Sequence, residues 1–340
     1  MLGVGIAGAG YFAAQHMRAL DGLDGFRLVA AAAGSPASTD RFVAAHGGRA
    51  CADWRELLDD PAIDVILIAS PHHLHAPMAI AAAAAGKHVL VEKPMAPSFA
   101  DCIAMAQAAA AGGVQLLVAH VMRFIAPCLA AREAIAAGRI GRPRVGRSAM
   151  MKRWMEANRQ PWHLSRETGG GMLFTAGIHA LDRLVWLMDA DVERIAAMSA
   201  ANFHDQPVPD VDLLLLRFAG GGLATLTSAG YRDTTGVNDT EIAGEDGILR
   251  LDLTRGVEIG QGGRWTSLPN AMEPDWLRHG LAREWLAMRA AIRDGVRPPV
   301  GGAEAGALIA CIAAAEIAAA TGREQTLPAW PEMGLDQSPA

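Results

Sequence analysis

Aromatic side chains occupy only 5% of the 340 positions, and charged ones only 19%. Cysteine is scarcer still, with Cys51, Cys102, Cys128 and Cys311 widely spaced. Without a CxxC pair or a dense cysteine pattern, neither a disulfide scaffold nor a cysteine zinc site is indicated, and buried reduced thiols in a cytoplasmic protein are expected. Neither sign of charge dominates: 30 Lys and Arg face 36 Asp and Glu, for a net charge of -6. That balance supplies no overall field to draw nucleic acid or an anionic membrane surface. Long apolar runs are missing too. The stretches Ala81 to Ala85 and Ala104 to Ala111 are far short of a bilayer span, and Met1-Leu2-Gly3-Val4-Gly5-Ile6 has no basic leader. No nucleic-acid partner and no membrane are therefore expected.

What is present is a 51% hydrophobic chain with 37 glycines, which can bury a large core. Its length favours two domains. The first third alternates short apolar runs with alanine-rich helical stretches, the pattern of a parallel sheet covered on both faces. After Phe124 the alternation gives way to extended segments from Val145 to Leu251, glycine-bearing turns, and helices over Pro127 to Ala137 and Gly177 to Met188. The fold class expected is an α/β Rossmann domain over 1–122, followed over 123–340 by an α+β domain with a large, mostly antiparallel sheet. Helices over Trp276 to Arg293 and Glu304 to Ala320 and a loose proline-rich tail from Leu327 complete the chain.

The chemistry begins at Gly8-Ala9-Gly10, which turns a strand into a helix near the N-terminus. Gly8 permits the turn, Gly10 lets backbone approach a pyrophosphate, and Ala13 stands where a third glycine often packs. A tight turn with no ligand has the same local signature. The second strand, Phe26 to Ala32, lacks the terminal acid that bonds the ribose of NAD. Ser35 can bond a ribose hydroxyl or, with Arg41, a 2'-phosphate, so NAD and NADP are both admitted.

Glu92-Lys93-Pro94 follows an apolar strand. A lysine there can steady a developing alkoxide and pass a proton, although an ordinary strand-end lysine reads alike. Thr175 and His179, four apart after Gly169-Gly170-Gly171, can share a helix face; His179 is a proton relay or a core histidine. His72-His73-Leu74-His75 has no acidic or cysteine companion, so no metal is expected. There His75 faces the nucleotide and His72 the loop surface. Trp154, Arg159, Trp162 and His163 suit either a sugar-like ring or a lid.

The order and spacing of these cues resemble the glucose-fructose oxidoreductase, inositol dehydrogenase and rhizopine catabolism family. The match takes in Gly8-Ala9-Gly10 with His16, Ser70-Pro71-His72 leading to His75, Glu92-Lys93-Pro94, Arg123-Phe124, and Gly177-Ile178-His179 with Asp182. The resemblance implies reversible NAD- or NADP-dependent oxidation of a secondary alcohol on a sugar, polyol, cyclitol or dihydrodiol. It also implies an open sheet that forms a homodimer or homotetramer. By it Lys93 and His179 are catalytic, and Arg123, Trp162, Thr175 and Asp182 meet the substrate. Gly8, Gly10, Tyr11, Phe12, Ser35, Ser70, His72, His75, Glu92 and Lys93 meet the cofactor. Many relatives carry aspartate where this chain has Thr175, which shifts more of the proton transfer to Lys93. The competing readings are a non-catalytic dinucleotide-dependent sensor or scaffold, and a redox-neutral lyase or hydrolase using nicotinamide transiently.

Overall fold

All six residues of the first strand, β1 (Leu2–Ala7), are buried, as a strand covered on both faces must be. A computed structural model describes residues 1–157, 159–233 and 235–328. After β1 come α1 (Tyr11–Leu20), β2 (Phe26–Ala32), α2 (Pro36–His46), the short β3 (Arg49–Cys51), β4 (Val65–Ile68), α3 (His75–Ala84), β5 (His88–Glu92), α4 (Phe99–Ala111) and β6 (Leu116–Ala119). The six strands form one parallel sheet in the order β3-β2-β1-β4-β5-β6. The order reverses direction between β1 and β4, and in such sheets ligands gather at the carboxyl ends of that pair of strands. Ser98 caps α4 by accepting from the Asp101 amide, and its hydroxyl donates to the Asp101 carboxylate.

The chain continues through α5 (Ala126–Ala136), β7 (Pro143–Arg153), α6 (Ile178–Met188), β8 (Val192–Ala200), β9 (Val211–Phe218), β10 (Leu223–Tyr231), β11 (Val237–Gly244), β12 (Ile248–Asp252), β13 (Gly256–Gln261) and β14 (Arg264–Ser267). Then come α7 (Trp276–Asp294), α8 (Gly302–Thr321) and β15 (Gln325–Thr326). Nine strands make the second sheet, in the order β14-β13-β12-β11-β7-β10-β9-β8-β15. Every pairing in it is antiparallel except β7 with β10. On β9 burial alternates strictly, with Asp212, Leu214, Leu216 and Phe218 inward and Leu213 and Leu215 outward. That is the period-2 signature of a sheet with one covered face.

Two compact units result. Among the described residues, one holds Met1–Val121 together with Leu277–Gly306, the other Met122–Trp276 with residues 307–328. The helix read at the end of the sequence thus returns to the first unit: Trp285 and Met288 of α7 join the cluster built on Val4, Ile6, Val65, Leu67 and Leu90. The helix read from Gly177 to Met188 is α6, with Gly177 as its N-cap, but helical turns already begin at Gly171 and Leu173–Gly177 form a π turn leading directly into it. Helix α8 is long and apolar enough, by length and composition alone, to cross a membrane, yet 61% of that stretch is buried inside the fold. Of the tail expected to be loose, only Leu327 and Pro328 lie within the described residues, and Leu327 is tied by its amide to Glu193 O at 2.8 Å.

Candidate active site

In the first unit, β1 ends at Ala7 and the chain turns at Gly8, where φ is +108°. A Cβ at Gly8 would lie 2.4 Å from Ala69 O, so only glycine lets β1 and the β4 loop close together. A Cβ at Gly10 would meet nothing within 4 Å, which leaves its backbone open to an incoming group. Gly10 is also the N-cap of α1, has no side-chain cap, and is followed by no acid in the first turn. Open amides at the positive end of a ten-residue helix, with no carboxylate nearby in the chain, fit a diphosphate. Tyr11 is exposed beside this turn and lies edge-on to Phe12, 5.4 Å away.

Past β2 the backbone passes through Ala33 and Gly34 with no acid. Ser35 caps α2, and its hydroxyl donates to Ser38 Oγ, which also accepts from Arg41 Nη2 at 3.2 Å. Ser35 and Arg41, named together from the sequence, are thus linked through Ser38, which the sequence alone did not single out.

Lys93 sits directly after β5 and is 8% exposed, its Nζ 5.9 Å from the centre of the Phe12 ring. The loop that carries it is clamped from two sides. His75 is fully buried, its Nδ1 2.9 Å from Pro94 O and its Nε2 2.9 Å from Ser70 O. A neutral imidazole donates to only one of these carbonyls, and burial pushes the His75 pKa down. Both ring nitrogens are turned toward backbone, so His75 holds the loops around Ser70 and Pro94. His72 is buried as well, not at the loop surface, its ring centre 5.6 Å from that of His75.

The second clamp was invisible in the sequence. Trp285 Nε1 donates to His16 Nδ1 at 3.1 Å; an indole N–H can only donate, so the His16 proton is on Nε2. That nitrogen donates to Glu92 Oε1 at 3.0 Å, while Glu92 Oε2 accepts from the Lys93 amide at 3.2 Å. Glu284, one residue before Trp285, is completely buried. Burial, reinforced by the Glu92 charge, pushes its carboxyl well above the usual range. His16 and Trp285 are 269 positions apart, and no local pattern joins them.

In the second unit Arg123 lies in a short 3₁₀ turn and donates from Nε and Nη2 to Asp182 Oδ1, at 2.8 and 2.6 Å. Both side chains are buried, so the pair ties that turn to α6, and the Arg123 guanidinium lies over the Trp186 ring at 5.4 Å. His179 is 8% exposed in the first turn of α6, and Thr175 lies in the preceding π turn. The wider π turn offsets the shared face that four-residue spacing implies in a regular helix. Trp162 stacks on His163 with ring centres 3.6 Å apart. Trp154 is wholly buried, its indole N–H on Gln206 and the Arg159 guanidinium 3.8 Å above its ring, so it is core and not a substrate face.

The four thiols are unpaired and buried. Burial pushes Cys128 and Cys311 up to about 12 and raises Cys102 further, so none is a reactive thiolate at neutral pH.

A parallel sheet of this order with a glycine cradle at its switch point is a dinucleotide-binding domain, here joined to a nine-stranded mixed sheet. A family model described as an oxidoreductase family, NAD-binding Rossmann fold, matches residues 2–120, and one described as the GFO/IDH/MocA C-terminal domain matches residues 128–250. The chain belongs to the GFO/IDH/MocA oxidoreductase family. It is 34% identical to a 1,5-anhydro-D-fructose reductase of Ensifer adhaerens over 59% of this chain, a match spanning 61% of that reductase. It is 30% identical to inositol 2-dehydrogenase 1 of Saccharopolyspora erythraea, over 76% of this chain and 77% of that protein. Among solved structures, an aldose-aldose oxidoreductase from Caulobacter crescentus complexed with glycerol superposes with a TM-score of 0.85 at 26% identity, covering 96% of this chain and 99% of that one.

Proposed function

We propose that this protein is an NAD(P)-dependent dehydrogenase or reductase acting on a secondary alcohol, or the matching ketone, of a sugar, polyol, cyclitol or dihydrodiol. The observation that carries this reading is Lys93: a nearly buried lysine held by two independent backbone clamps at the ligand edge of a dinucleotide-binding sheet. The names of the relatives above, a reductase of an anhydro sugar, an inositol dehydrogenase and an aldose-aldose oxidoreductase, support a polyhydroxylated substrate.

When bound, the dinucleotide supplies a hydride acceptor or donor at its nicotinamide ring. The remaining work falls to side chains. The Gly8 to Gly10 turn receives the diphosphate on open amides. Lys93 Nζ takes the hydroxyl proton as the alcohol is oxidised and returns it in the reverse direction; His179 holds or relays that proton. Arg123 and Asp182, committed to each other, fix the turn and helix near which Trp162 and Thr175 meet the substrate. In the test, sugars, inositols and dihydrodiols are offered with NAD and NADP separately while absorbance of the reduced ring is followed. Lys93→Met loses turnover by at least about a hundredfold while retaining cofactor affinity; activity within a few-fold of the parent removes Lys93 from this role.

The same reading includes a homo-oligomer. The outer face of the nine-stranded sheet exposes Val145, Met198, Leu213, Leu215 and Leu223, and a groove of about 490 Å³ runs along it past Arg147 and Glu241. A second copy of this face offers the matching apolar surface and both signs of charge. A cytoplasmic location is part of the proposal, supported by four cysteines that are buried and unpaired.

A further inference from the structure

One row of the inner face of the second sheet carries polar side chains where hydrophobic ones surround it. Ser199 on β8, Asp212 on β9 and Ser228 on β10 are direct cross-strand neighbours. Asp212 is 4% exposed and Ser228 not at all. Ser199 Oγ donates to Asp212 Oδ1 at 2.6 Å, but Asp212 Oδ2 and Ser228 Oγ have no hydrogen-bond partner among the described residues. Asp210, two residues earlier, is the contrast: it accepts from the amides of Asn202, Phe203 and His204 and meets the His204 ring. Two unsatisfied buried polar atoms on adjacent strands destabilise a fold, and a row serving packing alone avoids them.

The row abuts the turn that carries the candidate histidine. A Cβ on Gly177 would lie 2.4 Å from Ser228 Oγ, so the π turn closes on Ser228 only because residue 177 is glycine. His179 follows two residues later. π turns of this kind are frequent at functional sites.

We propose that Asp212 is a positioning residue for His179: a buried carboxyl whose charge, reaching the π turn through Ser228 and Gly177, sets the pH range in which the histidine takes up a proton. This rests on the dehydrogenase reading above. A negative charge held in a poorly screened interior favours an imidazolium nearby, and loss of that charge removes the help. The other charges facing Asp212 are Glu316 of α8, which is paired with Arg166, and Asp210 with His204. Burial chiefly, with the Glu316 and Asp210 charges, pushes Asp212 up to about 6, against the opposing bond from Ser199. Its charge therefore appears within the range where enzymes of neutral compartments are assayed.

The test compares the parent with Asp212→Asn, which keeps shape and can still accept from Ser199. The parent exceeds the variant in kcat/KM above pH 6.5, about tenfold for one unit of altered proton affinity, and the two converge below about pH 5.5. A ratio independent of pH overturns the proposal, since damage to packing alone gives that result. A second arm needs no turnover and so stands apart from the choice of substrate. The imidazole resonance that disappears in His179→Asn is titrated by NMR, and its midpoint is lower in Asp212→Asn by about half a unit or more; equal midpoints overturn the proposal. Should Asp212→Asn fail to fold, Ser199→Ala serves instead: removing the bond that favours the carboxylate moves the acid limb of kcat/KM to higher pH and the His179 midpoint to lower pH, and unchanged positions overturn the idea.

Discussion

Ala33 stands at the end of β2 where an acid would bond the ribose hydroxyls of NAD, and its amide donates to Thr39 Oγ1 at 3.0 Å. That position holds no carboxylate to repel a 2'-phosphate, and Ser35, Ser38 and Arg41 are linked beside it. Ala33→Asp is expected to weaken NADPH binding tenfold or more, a change of ~1.4 kcal/mol, while NADH binding holds or improves. Protein-fluorescence titration with each reduced cofactor reads both. Asp212 gives a second residue-scale expectation. Its folded pKa, about 6, lies above the ~3.9 of an unfolded chain, so the fold binds this proton more tightly than the unfolded state does. The resulting stability is complete below about pH 4 and lost as pH rises through about 6. Relative to the parent, Asp212→Asn gains stability across that window, by up to ~3 kcal/mol at neutral pH, in urea unfolding at a series of pH values. A difference that stays flat with pH contradicts a raised Asp212.

Elements meet through a few committed side chains. Arg123 and Asp182 join a 3₁₀ turn to α6, both buried. Removing one partner strands the other charge out of water: Asp182→Ala is expected to cost about 3–5 kcal/mol, and Arg123→Met with Asp182→Leu to recover much of it. Urea midpoints of the parent, single and double variants decide this. The π turn is a second such joint. In Gly177→Ala the new methyl meets Ser228 Oγ and Cβ, which lie 2.4 and 2.8 Å from its position, so the turn must shift, at about 1–3 kcal/mol. Pairing it with Ser228→Gly relieves the clash, which thermal unfolding of the single and double variants checks.

At the scale of the molecule, the outward face of the nine-stranded sheet is the largest apolar surface named above. Leu215, 61% exposed at its centre, is the residue to change. Leu215→Asp is expected to yield a lower-mass species in sedimentation velocity and to abolish the dependence of Tm on protein concentration that an oligomer shows. A parent that sediments as a monomer at all concentrations ends the oligomer proposal.

Periodicity and local chemistry carried much of this protein. Apolar runs separated by alanine-rich helices announced the parallel sheet, Gly8 and Gly10 marked the phosphate turn, and β9 emerged from sequence at Val211–Phe218. Each signal lies within a dozen residues, which is the range over which backbone preference and side-chain period act. The short β3, the strand β13 and the edge strands β14 and β15 escaped because few residues in them alternate and their pairing comes from neighbours. Only tertiary structure decided that α7 packs with the first unit, that Trp285 and His16 hold Glu92 behind Lys93, and that Ser199, Asp212 and Ser228 fall on one row against Gly177. Those contacts join residues far apart in the chain, and cross-strand register with interior packing, not local propensity, selects them.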